Sequence, residues 1–263
     1  MMDSVRYGPW CLIAGGSEGV GAAFARKLAA SGINLVLVAR KPEPLAAVAD
    51  EIRRTSGVAV RALPLDLTAG DAADKVKAAT ADIEVGLLIY NAGAESRLAY
   101  FVERDVADAT DMIARNITVP TILAHHFGSA MKARGRGGII LLGSVGGYAG
   151  GPGMAMYSAS KAFDYILAEG LWYELKPHGV DVLGLVLGTT DTPALARIGM
   201  RTDAPGFIAA DPADVAQEGL DYLGQGPILH ASGTEASAQY MRALPRAEAV
   251  TLMGQSSQAL MKS

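Results

Sequence analysis

The chain has 263 residues, half of them hydrophobic, and a formal net charge of −4. This length suits one α/β domain with a large buried core, and the charge excludes the basic footprint of a nucleic-acid-binding protein. No apolar stretch approaches the ~18 residues of a membrane span, and residues 1–10 lack the apolar centre of a signal peptide. We therefore predict a cytoplasmic protein with no nucleic-acid or membrane partner. The four histidines show no metal-ligand spacing, so no metal site is predicted.

The first predicted strand, residues 10–14, is followed by a glycine-rich turn and a helical pattern over residues 22–31. Strand, glycine turn and helix form the context that a dinucleotide site requires. Gly15 permits the tight turn, and Gly19 and Gly21 let backbone N–H groups at the helix start approach a pyrophosphate. The alternative is a tight turn whose glycines serve no ligand.

The second predicted strand, residues 34–39, ends beside Arg40 and Lys41. An NAD-selective site usually has a carboxylate here for the ribose 2′-hydroxyl, whereas an arginine suits a 2′-phosphate. Because Ala39 offers no carboxylate and two cations follow it, we predict NADP(H) as the cofactor. An exposed basic pair is common at strand ends, but it does not account for the missing acid.

The remaining chain alternates between strand and helix patterns. Further strands are predicted at residues 58–63, 85–90, 138–143, 181–187 and 227–230, and helices at residues 42–56, 68–80, 105–134 with an interruption near Asn116, 157–176 and 211–223. This alternation indicates a parallel, doubly wound sheet with helices on both faces. Ligands of such sheets bind beyond the carboxyl ends of the strands. Six residues of interest follow such ends: Gly15, Arg40, Asp66, Asn91, Ser144 and Gly188.

The stretch 144–161 carries the candidate chemistry. Tyr157 and Lys161 are four residues apart and share one face of the predicted helix. An ammonium beside a phenol lowers a pKa that is ordinarily near 10, and the Ser144 hydroxyl could orient a carbonyl or alcohol toward that phenol. These side chains outline a general acid/base site. Chance alone gives this Tyr–Lys spacing roughly 0.3 times in such a composition, so the interpretation depends on the surrounding motifs.

Two segments follow the last long strand. Residues 188–210 contain a short helical piece at 193–198 and are apolar for a surface loop; they form either a substrate lid or a loop that packs on a neighbouring subunit. Residues 235–263 are predicted as a helical tail in two pieces divided by Pro245. No linker or repeat divides the chain, so we predict one domain, residues 1–263.

With these motifs in this order, the chain resembles the short-chain dehydrogenase/reductase superfamily over about residues 8–230, and within it the bacterial NADP-dependent 7β-hydroxysteroid dehydrogenases. The resemblance implies a Rossmann fold with a seven-stranded, mainly parallel sheet of order 3-2-1-4-5-6-7, and a homodimer or homotetramer. It implies that Tyr157 transfers the proton, that Lys161 binds the nicotinamide ribose and lowers the phenol's pKa, and that Ser144 orients the substrate oxygen. Asn116 would hold a water of the proton relay.

The implied cofactor contacts are Gly15, Ser17, Gly19, Val20 and Gly21 at the pyrophosphate, Arg40 and Lys41 at the 2′-phosphate, Asp66 and Leu67 at the adenine, Asn91 at the centre, and Thr190 and Thr192 with Tyr157 and Lys161 at the nicotinamide end.

Several positions depart from the family pattern. Glu18 stands in the glycine turn where NADP enzymes of this type often have a basic residue, so we expect it to turn outward. Tyr90 replaces the first Asn of an Asn-Asn-Ala-Gly run, and Ala14 and Leu187 also differ. The acid/base residues are intact.

These features predict an NADP(H)-dependent oxidoreductase that interconverts a secondary alcohol and a ketone by hydride transfer. The glycines between residues 146 and 153 and the apolar lid favour a bulky apolar substrate, such as a steroid or bile-acid ring ketone. A 3-oxoacyl thioester is the alternative substrate. A non-catalytic dinucleotide-sensing module is the alternative class, because a fold alone does not establish activity.

Overall fold

A computed structural model describes residues 2–95, 98–198 and 209–261. Its strands form one sheet of order β3-β2-β1-β4-β5-β6-β7, in which every neighbouring pair is parallel. The strands are β1 Trp10–Ala14, β2 Asn34–Ala39, β3 Val60–Pro64, β4 Val85–Tyr90, β5 Gly137–Ser144, β6 Val180–Leu187 and β7 Ile228–His230. The predicted strand number, strand order and parallel pairing are confirmed.

Helices cover both faces of this sheet. They are α1 Ser4–Tyr7, α2 Gly19–Ala30, α3 Pro42–Ser56, α4 Ala72–Ala79, α5 Val106–Ile113, α6 Val119–Arg134, α7 Ala155–Leu175, α8 Pro193–Arg197, α9 Pro212–Tyr222, α10 Glu235–Ala243 and α11 Arg246–Met261. Helices α2, α3 and α9 pack on one face, and α4, α6 and α7 on the other. Because both faces are covered, alternate residues of a strand enter different cores. In β1, Cys11 and Ile13 face α2, whereas Leu12 and Ala14 face the opposite layer.

The predicted start of α4 is wrong. The helix expected from residue 68, with Thr68 as its cap, begins instead at Ala72. The Asp66 carboxylate accepts hydrogen bonds from the Thr68 backbone N–H at 3.0 Å and from the Thr68 hydroxyl at 2.9 Å. Because a short polar side chain that bonds two residues ahead favours a turn, residues 67–71 form turns before the helix can start.

The predicted interruption in the 105–134 region is confirmed. A π-helical turn, Ala114–Thr118, lies between α5 and α6. Such a turn accommodates one extra residue within a continuous helix and often occurs at a functional site. Asn116 lies in it with its side chain buried.

The carboxyl ends of the central strands meet along one edge of the sheet. Because the register is parallel, Gly15 and Asn91, which follow β1 and β4, and Ser144, which ends β5, lie at this edge. The tail consists of α10 and α11, divided at Pro245 as predicted. Of the predicted lid, residues 188–198, which include α8, and residues 209–210 are described, while residues 199–208 lie outside the described residues. No helix among the described residues is long and apolar enough to cross a membrane.

Candidate active site

The glycine turn after β1 is closed by contacts between backbones. Gly15 has a φ of 85°, and a Cβ placed on it would lie 2.8 Å from the Ala92 nitrogen. A Cβ on Gly21 would lie only 2.0 Å from the Gly15 carbonyl oxygen. The Asn91 side-chain amide donates to that same oxygen at 2.8 Å. The loop after β4 therefore fixes the turn, which leads directly into the N-terminus of α2, where the first backbone N–H groups of a helix have no partner within the helix. This donor set fits a pyrophosphate.

Helix α8 lies against the same turn. A Cβ on Gly19 would be 2.9 Å from the Thr192 methyl carbon, and the Thr192 hydroxyl accepts a hydrogen bond from Leu195 N–H at 3.4 Å. Glu18 forms a bidentate ion pair with Arg197 of α8. Hydrogen bonding to Arg197 holds the pKa of Glu18 below its ordinary value. Sequence reasoning missed Arg197, because the two residues are 179 positions apart and no local pattern joins them.

The two cations predicted to bind a 2′-phosphate lie at the end of β2. Arg40 and Lys41 are exposed at the end of β2, and neither forms an ion pair with another residue that the structure describes. Burial alone would raise the pKa of Asp66, but hydrogen bonds from Thr68 and the charges of Arg40 and Arg115 lower it below its ordinary value. In the β2–β3 register Ala39 pairs with Pro64, so Arg40 and Asp66 follow neighbouring strand ends.

Some predicted cofactor residues have side chains that are buried in the protein. Val20 and Leu67 are buried among the apolar residues of the two layers. Thr190 is buried, and its hydroxyl donates to the Gly188 carbonyl oxygen at 3.3 Å. A cofactor contact from these residues, and from Ser17, stays a prediction.

Ser144 and Tyr157 both lie close to Gly146. Ser144 ends β5, and Tyr157 lies on the first turn of α7. A Cβ placed on Gly146 would lie 3.4 Å from both the Ser144 Oγ and the Tyr157 Cε1. The Ser144 Oγ accepts a hydrogen bond from the Gly146 N–H at 3.1 Å. The structure therefore brings together a hydroxyl and a phenol that are 13 positions apart in the sequence.

Lys161 lies beneath this pair, with only 5% of its side chain exposed. Its Nζ donates to the Leu142 carbonyl oxygen at 2.7 Å and to Asp164 Oδ2 at 2.9 Å, and it lies 6.0 Å from the centroid of the Tyr157 ring. Burial raises the pKa of Asp164, and the ammonium opposes that shift. Asp164 was not among the predicted site residues. Its spacing of three from Lys161 on one helix is the signal that could have identified it.

Asn116 connects the loop after β4 to α7. Its side-chain amide donates to the Gly93 carbonyl oxygen at 3.2 Å and to the Ser160 hydroxyl at 3.0 Å. Its Oδ1 accepts from the Arg115 Nε at 3.1 Å. Gly93, with a φ of 137°, passes so close that a Cβ there would lie 3.1 Å from this amide. The π-helical turn thus places Asn116 next to the residue that precedes Lys161.

The segment that follows Ser144 contacts the C-terminal tail through Tyr148. The Tyr148 ring stacks on Tyr165 with centroids 4.9 Å apart, and its hydroxyl lies 2.7 Å from the His230 Nε2. The His230 Nδ1 contacts the carboxylate of Glu235, at the start of α10. Arg246 of α11 donates to the Tyr148 carbonyl oxygen at 2.9 Å. We refer to these five residues together as the Tyr148 cluster: Tyr148, Tyr165, His230, Glu235 and Arg246.

A cavity of about 280 Å³ lies beside the first turn of α7. Most of its lining is apolar, from Ala99, Phe101, Val102, Met112, Met154 and Met156 among others. The cavity contacts α7 through Ala155 and Met156, and the ion-paired Glu95 and Arg104 also line it. Ser144, Tyr157 and Lys161 are not among its lining residues.

Comparisons with known proteins identify the family of this chain. The family model described as short chain dehydrogenase matches residues 9–202. A 7β-hydroxysteroid dehydrogenase from Clostridium sardiniense is 35% identical over 222 residues, which are 84% of each chain. A structure from a study of 7β-hydroxysteroid dehydrogenase stereoselectivity has a TM-score of 0.89 at 32% identity, and the match covers 96% of this chain and 99% of that chain. A short-chain dehydrogenase from Sphingobium yanoikuyae in complex with NADPH has a TM-score of 0.78 at 31% identity, covering 97% and 95%. The chain belongs to the short-chain dehydrogenase/reductase family and is an oxidoreductase that acts on CH–OH groups.

Proposed function

We propose that this enzyme uses NADP(H) to interconvert a secondary alcohol and a ketone on a bulky apolar substrate of the steroid or bile-acid type. The observation that carries the proposal is the placement of Ser144 and Tyr157 around Gly146, above the buried Lys161. The similarity to 7β-hydroxysteroid dehydrogenases supports the substrate class. The exposed Arg40 and Lys41 support NADP(H).

When bound, the nicotinamide supplies or accepts the hydride. The protein supplies orientation and the proton. Because the Ser144 Oγ accepts from Gly146 N–H, its own hydrogen is available to a substrate oxygen. In reduction, the Tyr157 hydroxyl gives its proton to that oxygen; in oxidation, the phenolate removes it. The Lys161 ammonium has three donors, of which two are used by Leu142 and Asp164, so one remains for the cofactor ribose or the phenol.

The role expected of Asn116 is restricted by its hydrogen bonds. Both amide hydrogens are already donated, to Gly93 and Ser160, and Oδ1 accepts from Arg115. A relay water can therefore bind the side chain only through the remaining lone pair of Oδ1, or bind the backbone instead. We assign Asn116 chiefly to holding the Gly93 loop against α7.

The activity is tested by NADPH consumption with a panel of ketones. The panel contains bile-acid ring ketones, a 3-oxoacyl thioester, and small aliphatic and aryl ketones. We expect turnover of the ring ketones, and Tyr157→Phe should lower kcat by about 10²–10⁴-fold, the usual contribution of a general acid, while NADPH binding by fluorescence titration is retained. Absence of turnover with every ketone would favour the dinucleotide-sensing module. Better turnover of the thioester would favour the alternative substrate.

The cofactor preference is tested by comparing kcat/KM for NADPH and NADH. In Arg40→Ser the 2′-phosphate loses a charge-assisted partner, so kcat/KM for NADPH should fall about 10- to 100-fold while that for NADH changes little. Arg54→Ser removes an exposed arginine from the last turn of α3 and is the matched control. A wild-type enzyme that prefers NADH would contradict the proposal.

We also propose a homodimer or homotetramer. The outer face of α7 carries apolar side chains, and Ile166 is 60% and Tyr173 77% exposed. Large exposed apolar side chains on one helix face are typical of an interface. Light scattering on the purified protein measures the mass directly, and a monomer would overturn this part of the proposal. The cytoplasmic location expected from the sequence stays a prediction.

A further inference from the structure

We infer that Asp164 is a positioning residue of the acid/base site: its carboxylate keeps the Lys161 ammonium charged and aimed at Tyr157. The inference rests on the proposed function, since it takes Tyr157 as the group that transfers the proton. It adds to the site a residue whose chemistry acts only through the lysine.

The geometry leaves Lys161 little freedom. Both side chains of the pair are 5% exposed, and their atoms are 2.9 Å apart. The Leu142 carbonyl of β5 takes a second hydrogen of the ammonium at 2.7 Å. Asp164 is on the helix that carries Lys161, and Leu142 is on the strand beneath it, so the third hydrogen is the one left for the active site.

Burial gives the carboxylate its importance. An ammonium removed from water without an opposite charge favours the neutral amine, and its pKa can fall by several units. A neutral Lys161 would not favour the Tyr157 phenolate. Asp164 contacts the ammonium directly, whereas Tyr157 is seven positions earlier on α7, about two helical turns away. The attraction between Asp164 and Lys161 therefore outweighs the direct repulsion between Asp164 and the phenolate, because Coulomb energies fall with distance.

The other titratable groups around the pair do not interfere at neutral pH. Tyr90 of β4 faces Asp164, and its hydroxyl donates to the Arg115 carbonyl oxygen. Burial, and then the charge of Asp164, raise the pKa of Tyr90 well above its ordinary value, although the Arg115 charge opposes this. Tyr90 therefore stays protonated over the range in which the acid/base reaction is measured.

The test replaces the carboxylate by an amide of the same shape. Asp164→Asn can still accept a hydrogen bond from Lys161, but it lacks the negative charge. In oxidation of the alcohol product of the best ketone, measured from pH 6 to 10 with NADP⁺, the acid limb of kcat/KM should move upward by about one pH unit. Because one pKa unit is a factor of ten, kcat/KM on that limb should fall about tenfold. Glu174→Gln, which removes an exposed carboxylate from the same helix, should leave the profile unchanged.

A second readout needs neither cofactor nor turnover. The absorbance change on tyrosine ionisation, taken as the difference between a protein and its Tyr157→Phe variant, reports the ionisation of Tyr157 alone. This difference should appear at higher pH in the Asp164→Asn background than in the wild-type background. Thermal unfolding at pH 7 establishes that each variant is folded.

The outcomes separate the inference from the proposed function. If Tyr157→Phe retains most activity, the proposed acid/base role fails. If Tyr157→Phe is inactive but the Asp164→Asn profiles coincide with wild type or move to lower pH, only the role of Asp164 is overturned. Should Asp164→Asn not fold, Asp164→Leu, which fills the site with an apolar side chain, takes its place with the same expected shift.

Discussion

Two parts of the site are held together by different means. The glycine turn is the part that we propose for the cofactor side, and the Tyr148 cluster is the part that we propose for the substrate side. On the cofactor side, the backbones of Gly15, Gly21 and Ala92 approach so closely that no side chain fits between them. On the substrate side, the Tyr148 cluster depends on side chains of β7 and of the tail that contact Tyr148. A backbone contact is either possible or not, whereas a set of side-chain contacts can be weakened one at a time. Substitutions on the first side should therefore abolish function, and those on the second should reduce it by steps.

The largest effect is expected from Gly21→Ala. The added methyl group would lie 2.0 Å from the Gly15 carbonyl oxygen, and that atom belongs to a rigid backbone. The turn must shift, so NADPH affinity measured by fluorescence titration should fall at least about 100-fold, a magnitude expected when backbone donors to a phosphate move. Gly70→Ala is the control, because nothing lies within 4 Å of a Cβ there. Near-normal NADPH binding by Gly21→Ala would remove the distinction between the two sides.

An intermediate effect is expected from Arg246→Gln. This change removes the charged donor to the Tyr148 carbonyl oxygen but leaves the ring contacts of Tyr148 with Tyr165 and Arg242. Because one of several contacts is lost, KM for the ketone should rise about three- to tenfold, equivalent to about 1 kcal/mol. The Kd for NADPH should stay within twofold. A change in NADPH binding as large as that in KM would mean that the tail also controls the cofactor side.

The smallest effect is expected on thermal stability, through the protonation of His230. Burial lowers the pKa of His230, the charge of Glu235 raises it, and the charge of Arg242 lowers it further. The Tyr148 hydroxyl also faces the ring. The unfolded chain, with a histidine pKa near 6.5, takes up a proton at higher pH than the folded chain does. The contribution of His230 to the free energy of unfolding is therefore full above pH 6.5 and is lost as the pH falls below it. The difference in Tm between wild type and His230→Gln should therefore narrow from pH 7.5 to pH 5. A difference that widens would indicate that Glu235 stabilises a protonated imidazole.

The sequence is sufficient for those features that depend on local pattern. Apolar runs predict the strands because both faces of a parallel sheet are buried, and the motif around Tyr157 predicts the acid/base residues because they are close along one helix. The start of α4 is not predicted correctly, because a single Asp66–Thr68 hydrogen-bonded turn overrides helix propensity. Contacts between distant elements, such as Glu18 with Arg197, require the fold before they can be recognised.

The π-helical turn at Ala114–Thr118 makes the fold sensitive to the insertion or deletion of a residue in this segment. Each residue of an α-helix advances the side chains by about 100° around the axis, so the extra residue in this turn sets the rotation of α6 relative to α5. Deletion of one residue here would restore a regular helix and turn the buried Leu123 and Phe127 away from the sheet. An insertion or deletion in this helix should therefore be tolerated less well than the same change in the exposed turn around Gly70, although both are single residues.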